Sequence, residues 1–441
     1  MRRRVVPQET TVLLVAALAI GIATRWWLLG ASQGALGADE AYTGLQALRI
    51  LHGDVPLVIE GQAYTAVFDS YLLAPLLAVF GPSVLILKAL PIVWWLAAAV
   101  LVGILTSKVA GRSAGRLAGA LFWVAPGSLM ILSTRAYEGY GLGLILVLVG
   151  CIAAHRWAQD AGTTARFAAL CGLACGLAFY AHPMYASVIV PMVAVPLWIH
   201  RGRPLTGLVP FLSLGVLANV PLLIWNVRND WGSLHQPEAT PSTYASRFVG
   251  LFTRMSPRAI GLRDFSGTWT LGIGTFVVVA LAIGVVSAAG AVALARADRA
   301  NWTVVAPLLI GWPALACFRS TTFVADGRYA IVLAPFVLVS ATAGVARLWR
   351  RRPRGTLAVG LIAWTAVFVV PWLADNSGPR RGDPNAGAIA VAELVRGRGF
   401  TRLSGSFWWV LPVEYLSDRR IRGGVAGEPF TVRVVDSQTE V

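Results

Sequence analysis

The first thirty residues decide the fold. Arg2-Arg-Arg4 precedes the apolar run Thr11-Val-Leu-Leu-Val-Ala-Ala-Leu-Ala-Ile-Gly-Ile-Ala-Thr-Arg-Trp-Trp-Leu-Leu29. A helix needs about 20 mostly apolar residues to cross a bilayer, and this run has that length. Basic residues before an apolar run also begin signal peptides, which would here be cleaved near Gly37-Ala38. Because many similar runs follow, an uncleaved first membrane span is the better interpretation.

The composition agrees with a membrane protein: 56% of the 441 residues are hydrophobic and 13% are charged. Soluble domains carry about a quarter charged residues. Apolar runs of near-spanning length recur along the chain. The sequence therefore predicts an all-α polytopic membrane protein with about eleven transmembrane helices, at 11–30, 84–106, 116–133, 139–155, 166–181, 184–199, 205–226, 269–295, 302–317, 328–346 and 355–374.

The net charge of +16 comes from short arginine-rich clusters between the apolar runs rather than from one continuous basic face, which argues against a nucleic-acid partner. With these spans, all six clusters lie on one side, and the positive-inside rule makes that side cytoplasmic. The apolar stretch Thr65–Phe80 must then stay outside the spanning set. It contains Asp69 and Pro75, and we expect it at the outer membrane surface or as a re-entrant helix.

The prediction divides the chain into a transmembrane domain, 1–374, and an extracytoplasmic appendage, 375–441, with a cytoplasmic N-terminus. Two outer loops are long, 31–83 and 227–268. In the first, a helix starting at Asp39-Glu40 and ending at Gly53 is expected at the interface. In the appendage, a helical pattern at 388–396 and strand-like runs at 407–410 and 430–435 predict a small α/β unit.

Acidic residues are scarce, and Asp39-Glu40 is the most informative pair. A carboxylate held rigidly near the membrane interface could act as a general base towards an attacking hydroxyl. The alternative is structural, because acids at a helix start cap the first turn and favour the helix dipole. Spacing alone leaves both interpretations open.

The surrounding motif is similar to a known family. Gly37-Ala-Asp-Glu-Ala-Tyr-Thr-Gly-Leu-Gln-Ala-Leu-Arg-Ile-Leu-His-Gly53, followed by Gly61-Gln-Ala-Tyr-Thr-Ala66 and Tyr71-Leu-Leu-Ala-Pro-Leu76, resembles the glycosyltransferase family 39 branch of the GT-C membrane glycosyltransferases. That superfamily includes protein O-mannosyltransferases and the lipid A aminoarabinose transferase. A late segment, Asp326-Gly-Arg-Tyr-Ala-Ile-Val-Leu-Ala-Pro335, resembles the Arg-Tyr and Pro pattern of a late family helix.

The resemblance implies a reaction in which a sugar moves from a polyprenyl-phosphate carrier, among membrane lipids, to an extracytoplasmic acceptor: a lipid, a cell-wall glycan or a protein. It assigns proton removal to Asp39, with Glu40 beside it. The leaving phosphate requires cations, and the outer-side arginines are the candidates: Arg135, Arg263, Arg319 and Arg328. Alternatively, three of them pair structurally with nearby acids, Arg135 with Glu138, Arg263 with Asp264 and Arg328 with Asp326.

Further substrate contacts are expected from the outer loops. Glu138 resembles a second acidic position of the family, which places the acceptor or a divalent cation; the sequence does not establish a metal. Many relatives have Lys or His with Pro-Pro after the first surface helix, where this chain has Glu60-Gly-Gln-Ala-Tyr64, so Glu60, Gln62 and Tyr64 are expected to bind sugar or acceptor hydroxyls. His182 is a further binding candidate, or else a turn residue bonded to backbone.

The main rival function is a secondary transporter or lipid flippase. Such proteins usually have internal repeats and polar residues near the membrane midplane. No convincing repeat occurs here, and the polar residues gather at one rim. A non-catalytic scaffold presenting the C-terminal appendage is a third possibility, and the acid-rich first loop argues against it.

Overall fold

The structure is a computed structural model, which describes residues 6–31, 34–59, 62–159, 164–202, 204–235, 242–264, 267–318, 326–348, 353–376, 382–425 and 432–434. Helices dominate it, with two small sheets. The helices up to residue 376 are α1 (Val6–Leu29), α2 (Ala38–Leu51), α3 (Phe68–Phe80), α4 (Val84–Ala110), α5 (Arg112–Trp123), α6 (Gly127–Leu132), α7 (Gly141–Gln159), α8 (Thr164–Ala181), α9 (Ala186–Ile199), α10 (Pro204–Ala218), α11 (Val220–Arg228), α12 (Tyr244–Gly250), α13 (Ser256–Ala259), α14 (Gly272–Ala297), α15 (Trp302–Ala316), α16 (Ala334–Leu348), α17 (Pro353–Trp364) and α18 (Val370–Asn376).

Among the described residues, five helices are long and apolar enough to cross a membrane, and a sixth span forms if α10 and α11, bent by 52°, count as one. These helices are α1, α4, α7, α8 and α14. The other predicted spans are shorter or divided. For example, 355–374 is split into α17, a π-helical turn at Thr365–Val369 and α18. The number eleven therefore stays a prediction.

The predicted span 116–133 is broken between α5 and α6. Pro126 lacks an N–H to continue the helix, and Gly127 has φ +63°, a conformation that favours glycine. A Cβ on Gly127 would lie 2.4 Å from the carbonyl oxygen of Arg258 and 2.4 Å from the nitrogen of Gly261. The break thus brings the start of α6 against the α13 region.

A buried arginine of α1 stabilises this break. Arg25 is 2% exposed, and its guanidinium lies 3.9 Å from the centre of the Trp123 ring. Its Nη1 and Nη2 donate to the Trp123 carbonyl oxygen at 3.1 Å, and its Nε donates to Ser133 Oγ at 3.0 Å. The carbonyl groups at a helix end have no partner within the helix. Arg25 therefore supplies the missing hydrogen-bond donors to the carbonyl group at the end of α5. This contact gives a structural role to a charge that is costly within a membrane.

The loop 31–83 contains α2 as expected, followed by a two-stranded antiparallel hairpin, β1 (Val58–Ile59) and β2 (Gln62–Ala66), and then α3. The apolar stripe of α2 packs against α3 and α4, through Ala41, Leu45, Leu48, Leu73 and Leu87. The stretch Thr65–Phe80 is thus not one element, since β2 ends at Ala66 and α3 has 13 residues. A helix of that length is short for a span.

The second outer loop, 227–268, has more local structure than the sequence indicated. It includes the end of α11, a 3-10 turn at Gly232–Leu234, α12, a π-helical turn at Leu251–Met255 and α13. Tyr244 Oη donates to the Pro313 carbonyl at 3.2 Å and Arg247 Nε to the Ala316 carbonyl at 2.7 Å. These contacts attach α12 to the end of α15.

The C-terminal appendage is a small α/β unit, as predicted. It consists of α19 (Ala386–Gly397), β3 (Arg402–Gly405), α20 (Phe407–Leu416), β4 (Arg422–Val425) and β5 (Val432–Val434). Strand β3 lies in the middle, parallel to β4 and antiparallel to β5. The strand expected at 407–410 is wrong, because that run begins α20; short apolar runs do not distinguish the two structures. The strand expected at 430–435 is confirmed at 432–434, and the rest of it lies outside the described residues.

Helix α20 packs directly on α2. A Cβ on Gly44 would lie 2.5 Å from the ring of Tyr415, so the two helices approach closely only because this position is glycine. The Tyr415 hydroxyl accepts a hydrogen bond from the backbone N–H of Ser83 at 3.1 Å, at the start of α4. The appendage therefore supports the helix that carries Asp39 and Glu40.

Candidate functional site

Asp39 and Glu40 are the second and third residues of α2, after the N-cap Gly37, so neither is the N-cap. Adjacent helical residues point in different directions, and here the difference is large: the Asp39 side chain is 30% exposed and the Glu40 side chain is 0% exposed. Thr43 Oγ1 donates to the Ala136 carbonyl at 3.0 Å, which ties α2 to the segment 133–140.

Asp39 faces Arg328. The Arg328 Nη1 lies 3.6 Å from Asp39 Oδ2, while the Arg328 Nε lies 2.7 Å from Asp326 Oδ2. Asp326 also caps the 3-10 helix Gly327–Val332, because its Oδ1 accepts from the Arg328 backbone N–H at 2.9 Å. The expected structural pair Arg328–Asp326 is thus present, and it holds the guanidinium towards Asp39 rather than away from it.

Tyrosine rings surround the same guanidinium. Its central carbon lies 5.3 Å from the Tyr137 ring, 5.7 Å from Tyr329 and 6.0 Å from Tyr140. Burial raises the pKa of Asp39, and the charge of Arg328 only partly opposes this shift. Asp39 therefore binds a proton more readily than an ordinary aspartate, as suits a general base, while remaining partly accessible.

Glu40 has a different environment. Its Oε2 accepts from Lys88 Nζ at 2.7 Å, from Arg135 Nη1 at 2.5 Å and from the Gly37 N–H at 3.0 Å. Burial disfavours the Glu40 carboxylate, but the charges of Lys88 and Arg135 outweigh it and lower the pKa. Both cations also donate to the Ala35 carbonyl. This ion cluster fixes the start of α2.

The cluster corrects two details of the sequence analysis. The structure pairs Arg135 with Glu40, whereas the sequence suggested Glu138. Lys88 was missed as a site residue, although the signal was present: a lone lysine near the start of an apolar span is costly unless it is paired. It is 2% exposed.

The side chain of Glu138 binds the first turn of α3. Its Oε1 accepts from the Ser70 N–H at 2.8 Å and from the Ser70 hydroxyl, and its Oε2 accepts from the Asp69 N–H at 2.9 Å. Helix N-terminal N–H groups need such an acceptor. The neighbouring Asp69 accepts from Trp94 Nε1 at 2.8 Å and from the Gly139 N–H at 3.3 Å. Burial raises the pKa of Asp69 to about 6 and that of Glu138 well above its usual value.

His182 lies beside Tyr64 and beside Tyr140, one of the tyrosines around Arg328. The His182 ring centre lies 5.6 Å from that of Tyr64 and 5.4 Å from that of Tyr140. His182 Nδ1 accepts from the Met184 N–H at 3.2 Å, which agrees with the turn interpretation. Burial lowers the pKa of His182 to about 3, so the ring is neutral. His182 can therefore orient polar groups but does not supply a positive charge.

The remaining predicted residues are less central. Gln62 is exposed at the start of β2. Arg263 donates from Nε to the Gly267 carbonyl at 2.9 Å and from Nη1 to the Thr253 carbonyl at 3.1 Å, and lies over the Trp269 ring at 5.1 Å. Within the described chain it has no contact with Asp39 or Arg328. Glu60 and Arg319 lie outside the described residues.

A divalent cation does not fit the described site. No group of three or more His, Cys, Asp or Glu side chains converges there as metal ligands, within the part of the chain that the structure describes. The carboxylates near Asp39 already face cationic side chains: Asp39 and Asp326 face Arg328, and Glu40 faces Lys88 and Arg135. We derive no reaction step through a metal.

Comparison with known proteins gives fold-level matches. Neither a family model nor a curated protein sequence matches this chain. Among solved structures, it is similar to ArnT from Cupriavidus metallidurans in the apo state, with a TM-score of 0.64, 13% identity, 95% of this chain and 86% of that chain covered. The same protein bound to undecaprenyl phosphate gives 0.61, 14% identity, 94% and 86% coverage. The apo Archaeoglobus fulgidus oligosaccharyltransferase gives 0.53, 14% identity, 94% and 64% coverage.

The chain therefore has the fold of the GT-C membrane glycosyltransferases, and it is a multi-pass membrane protein. This confirms the all-α polytopic class and the GT-C resemblance of the sequence analysis. At these identities the likeness establishes the fold alone, so the activity has to be argued from the residues.

Proposed function

We propose that the protein is an integral membrane glycosyltransferase that moves a sugar from a polyprenyl-phosphate carrier to a hydroxyl of an extracytoplasmic acceptor. The observation that carries the proposal is the pair of Asp39 and Arg328, a partly exposed carboxylate and a guanidinium 3.6 Å apart at the start of α2. The fold supports it, because one similar structure is ArnT bound to undecaprenyl phosphate.

The two side chains supply the two groups that the transfer needs. The oxygen of the acceptor hydroxyl bonds to the anomeric carbon, and Asp39 accepts the proton of that hydroxyl. The bond between that carbon and the phosphate oxygen breaks, and the oxygen keeps the electron pair. Arg328 stabilises the charge on the leaving phosphate, since a guanidinium matches phosphate geometry. Asp326 holds Arg328 in position, and Tyr137, Tyr140 and Tyr329 surround it with aromatic faces.

Other predicted residues take supporting roles in this proposal. Glu40 does not contact substrate. With Arg135 and Lys88 it fixes the start of α2 and so positions Asp39. Sugar or acceptor hydroxyls contact Tyr64, His182, Gln62 and Glu60. Arg263 and Glu138 act through the backbone groups that they bind, Arg263 at Gly267 and Thr253 and Glu138 at Asp69 and Ser70. The loop 227–268 shapes acceptor choice, because α13 packs beside α6 and the 3-10 helix that carries Arg328; a Cβ on Gly327 would lie 2.7 Å from the Ala259 nitrogen.

The direct test is release of polyprenyl phosphate from a sugar-charged carrier by protein in lipid nanodiscs. A transferase releases carrier phosphate with acceptor-dependent stoichiometry. A transporter or flippase binds or moves the charged carrier without breaking the sugar–phosphate bond, and that result would overturn the proposal.

The orientation is tested by thiol labelling of intact cells. We propose a cytoplasmic N-terminus, a membrane domain at 1–374 and an extracytoplasmic appendage at 375–441. Asp54 and Ser113 are both exposed side chains on loops or helix starts. An impermeant thiol reagent should label Asp54→Cys and should leave Ser113→Cys unlabelled until the cells are lysed. Labelling of Ser113→Cys from outside would contradict this topology.

A further inference from the structure

A cavity of about 600 Å³ lies at the opposite end of α2 from Asp39. Its walls are the C-terminal half of α2, the segment 54–59 with β1, and the end of α11. The polar side chains that line it are Gln46, Arg49, Asp54, Arg228 and Asn229. The proposed transfer reaction at Asp39 uses none of these residues.

The charge of this α2–α11 cavity favours an anion. Among the described residues of the lining, the cationic side chains Arg49 and Arg228 outnumber the one acid, Asp54. Arginine binds phosphate and carboxylate through paired hydrogen bonds. The two arginines come from separate helices, α2 and α11, and meet at one cavity rather than on one solvated helix face.

The cavity also has features that suit a sugar. Gln46 is 4% exposed, and its Oε1 accepts from the Ser70 hydroxyl at 3.4 Å. Its side-chain amide lines the cavity, so the Nε2 donor lies at the cavity wall. Trp225 lines the cavity as well and is half-buried. A rigid aromatic side chain with polar neighbours is a usual platform for a carbohydrate ring.

The position relative to Asp39 distinguishes acceptor from donor. Gln46 follows Asp39 by seven helical residues, so the two lie on one face of α2, separated by a rise of about 10 Å. The leaving phosphate of the donor must lie next to the attacked carbon, at Asp39 and Arg328. An anion in the α2–α11 cavity is therefore a second one, carried by the other substrate.

We propose that the α2–α11 cavity binds the oxyanion of the acceptor, a phosphate- or carboxylate-bearing glycan whose free hydroxyl then reaches Asp39. This inference rests on the proposed function, because only a transferase has an acceptor substrate. Arg49 and Arg228 hold the oxyanion, Gln46 donates to a sugar oxygen, and Trp225 packs against the ring.

The test measures binding, so it does not depend on transfer. The protein is placed in phosphatidylcholine nanodiscs, and equilibrium dialysis measures the affinity for radiolabelled N-acetylglucosamine 1-phosphate. We expect the double variant Arg49→Gln/Arg228→Gln to lose about tenfold or more in affinity, because charge-assisted hydrogen bonds are lost. Arg396→Gln, which changes an exposed arginine of α19, is the matched control and should bind like the wild type.

Three results would overturn the inference. The first is unchanged affinity in the double variant. The second is equal affinity for inorganic phosphate alone, which would indicate a simple anion site. The third is competition by undecaprenyl phosphate, which would make this a donor site. Neutral N-acetylglucosamine should bind at least about tenfold more weakly than its phosphate.

The release assay separates this inference from the proposed function. If the wild type releases carrier phosphate but the double variant binds the sugar phosphate normally, the cavity assignment alone fails. If the wild type releases none, the proposed function fails whatever the dialysis shows.

Discussion

Glu40 and Glu138 are both buried carboxylates at the start of a short helix, yet their surroundings differ. Glu40 meets two cations, Lys88 and Arg135, which lower its pKa. Glu138 accepts hydrogen bonds from Ser70 and Asp69; burial raises its pKa, and the neighbouring Asp69 carboxyl raises it further. A buried acid stays ionised only where cations outweigh the cost of burial. The cations therefore keep Glu40 ionised, whereas Asp69 and Glu138 bind a proton more readily than ordinary carboxylates do.

Asp39 lies between these extremes, and its substitution gives the largest expected effect. Asp39→Asn keeps the shape of the side chain but removes the proton acceptor, so the transfer rate should fall by about 10²–10⁴-fold. Folded protein should stay near the wild-type level, because Asp39 is not the N-cap and is partly exposed. Transfer assays and size-exclusion chromatography measure the two quantities.

The control for this variant is Asp418→Asn. Asp418 is an exposed aspartate of the appendage with φ +53°, a conformation that Asn also tolerates. It should transfer at the wild-type rate. Near-normal transfer by Asp39→Asn would contradict a general base at this position and, with it, the proposed mechanism.

Glu40→Gln tests the cation-paired region. It leaves Lys88 and Arg135 buried without their counter-charge, which should cost about 3–5 kcal/mol of stability. Thermal unfolding of purified protein measures the loss. Whatever folded protein remains should transfer faster than Asp39→Asn, since Glu40 does not face the reacting groups.

A second substitution sharpens this test. In Glu40→Gln/Lys88→Met one of the two remaining cations is gone, so part of the lost stability should return. A Glu40→Gln protein as stable as the wild type would show that the three charges do not act as one cluster.

Asp69→Asn tests the proton-holding region and gives the smallest effect, seen in pH dependence. The folded pKa of Asp69 is about 6, above its usual 3.8, so the native state binds this proton more tightly than the unfolded chain does. The free energy of unfolding should therefore fall as pH rises from about 4 to about 6, and Glu138 extends the fall to higher pH.

Asn keeps an acceptor for Trp94 but does not titrate, and it also removes the Asp69 charge, which adds to the effect of burial on the pKa of Glu138. The melting temperature of Asp69→Asn between pH 5 and 8 should then change less than that of the wild type. Asp418→Asn should keep the full slope. An equal slope in Asp69→Asn would mean that the pair does not share a proton-dependent contribution.

The sequence predicted the features that depend on local pattern. The helix from Asp39-Glu40 to Gly53, the membrane class and the α/β appendage follow from periodicity and apolar length, and the structure confirms them. The split of 116–133 was missed because its cause is distant in sequence: Gly127 packs against 258–261, and Arg25 holds the break.

The residues that the structure brings together around the start of α2 could be selected from the sequence, but their pairs could not. A scarce acid or an outer arginine is visible in the sequence, so Asp39, Glu40, Arg135 and Arg328 could be selected. Their partners depend on how helices meet, and nearest-neighbour pairing gave Glu138 for Arg135, where the structure gives Glu40. The cavity arginines, Arg49 and Arg228, come from helices far apart in the chain. No sequence pattern predicts that they line one cavity.

The contact of α20 with α2 has a consequence for synthesis. Residues 407–416 leave the ribosome after every predicted span, yet Tyr415 supports the helix that presents Asp39. Until those residues arrive, the Gly44 face of α2 packs near Leu87 of α4 but lacks the Tyr415 ring. A chain arrested before α20 would therefore enter the membrane with α2 incompletely supported, so the synthesis of α20 sets when the loop 31–83 acquires its final shape.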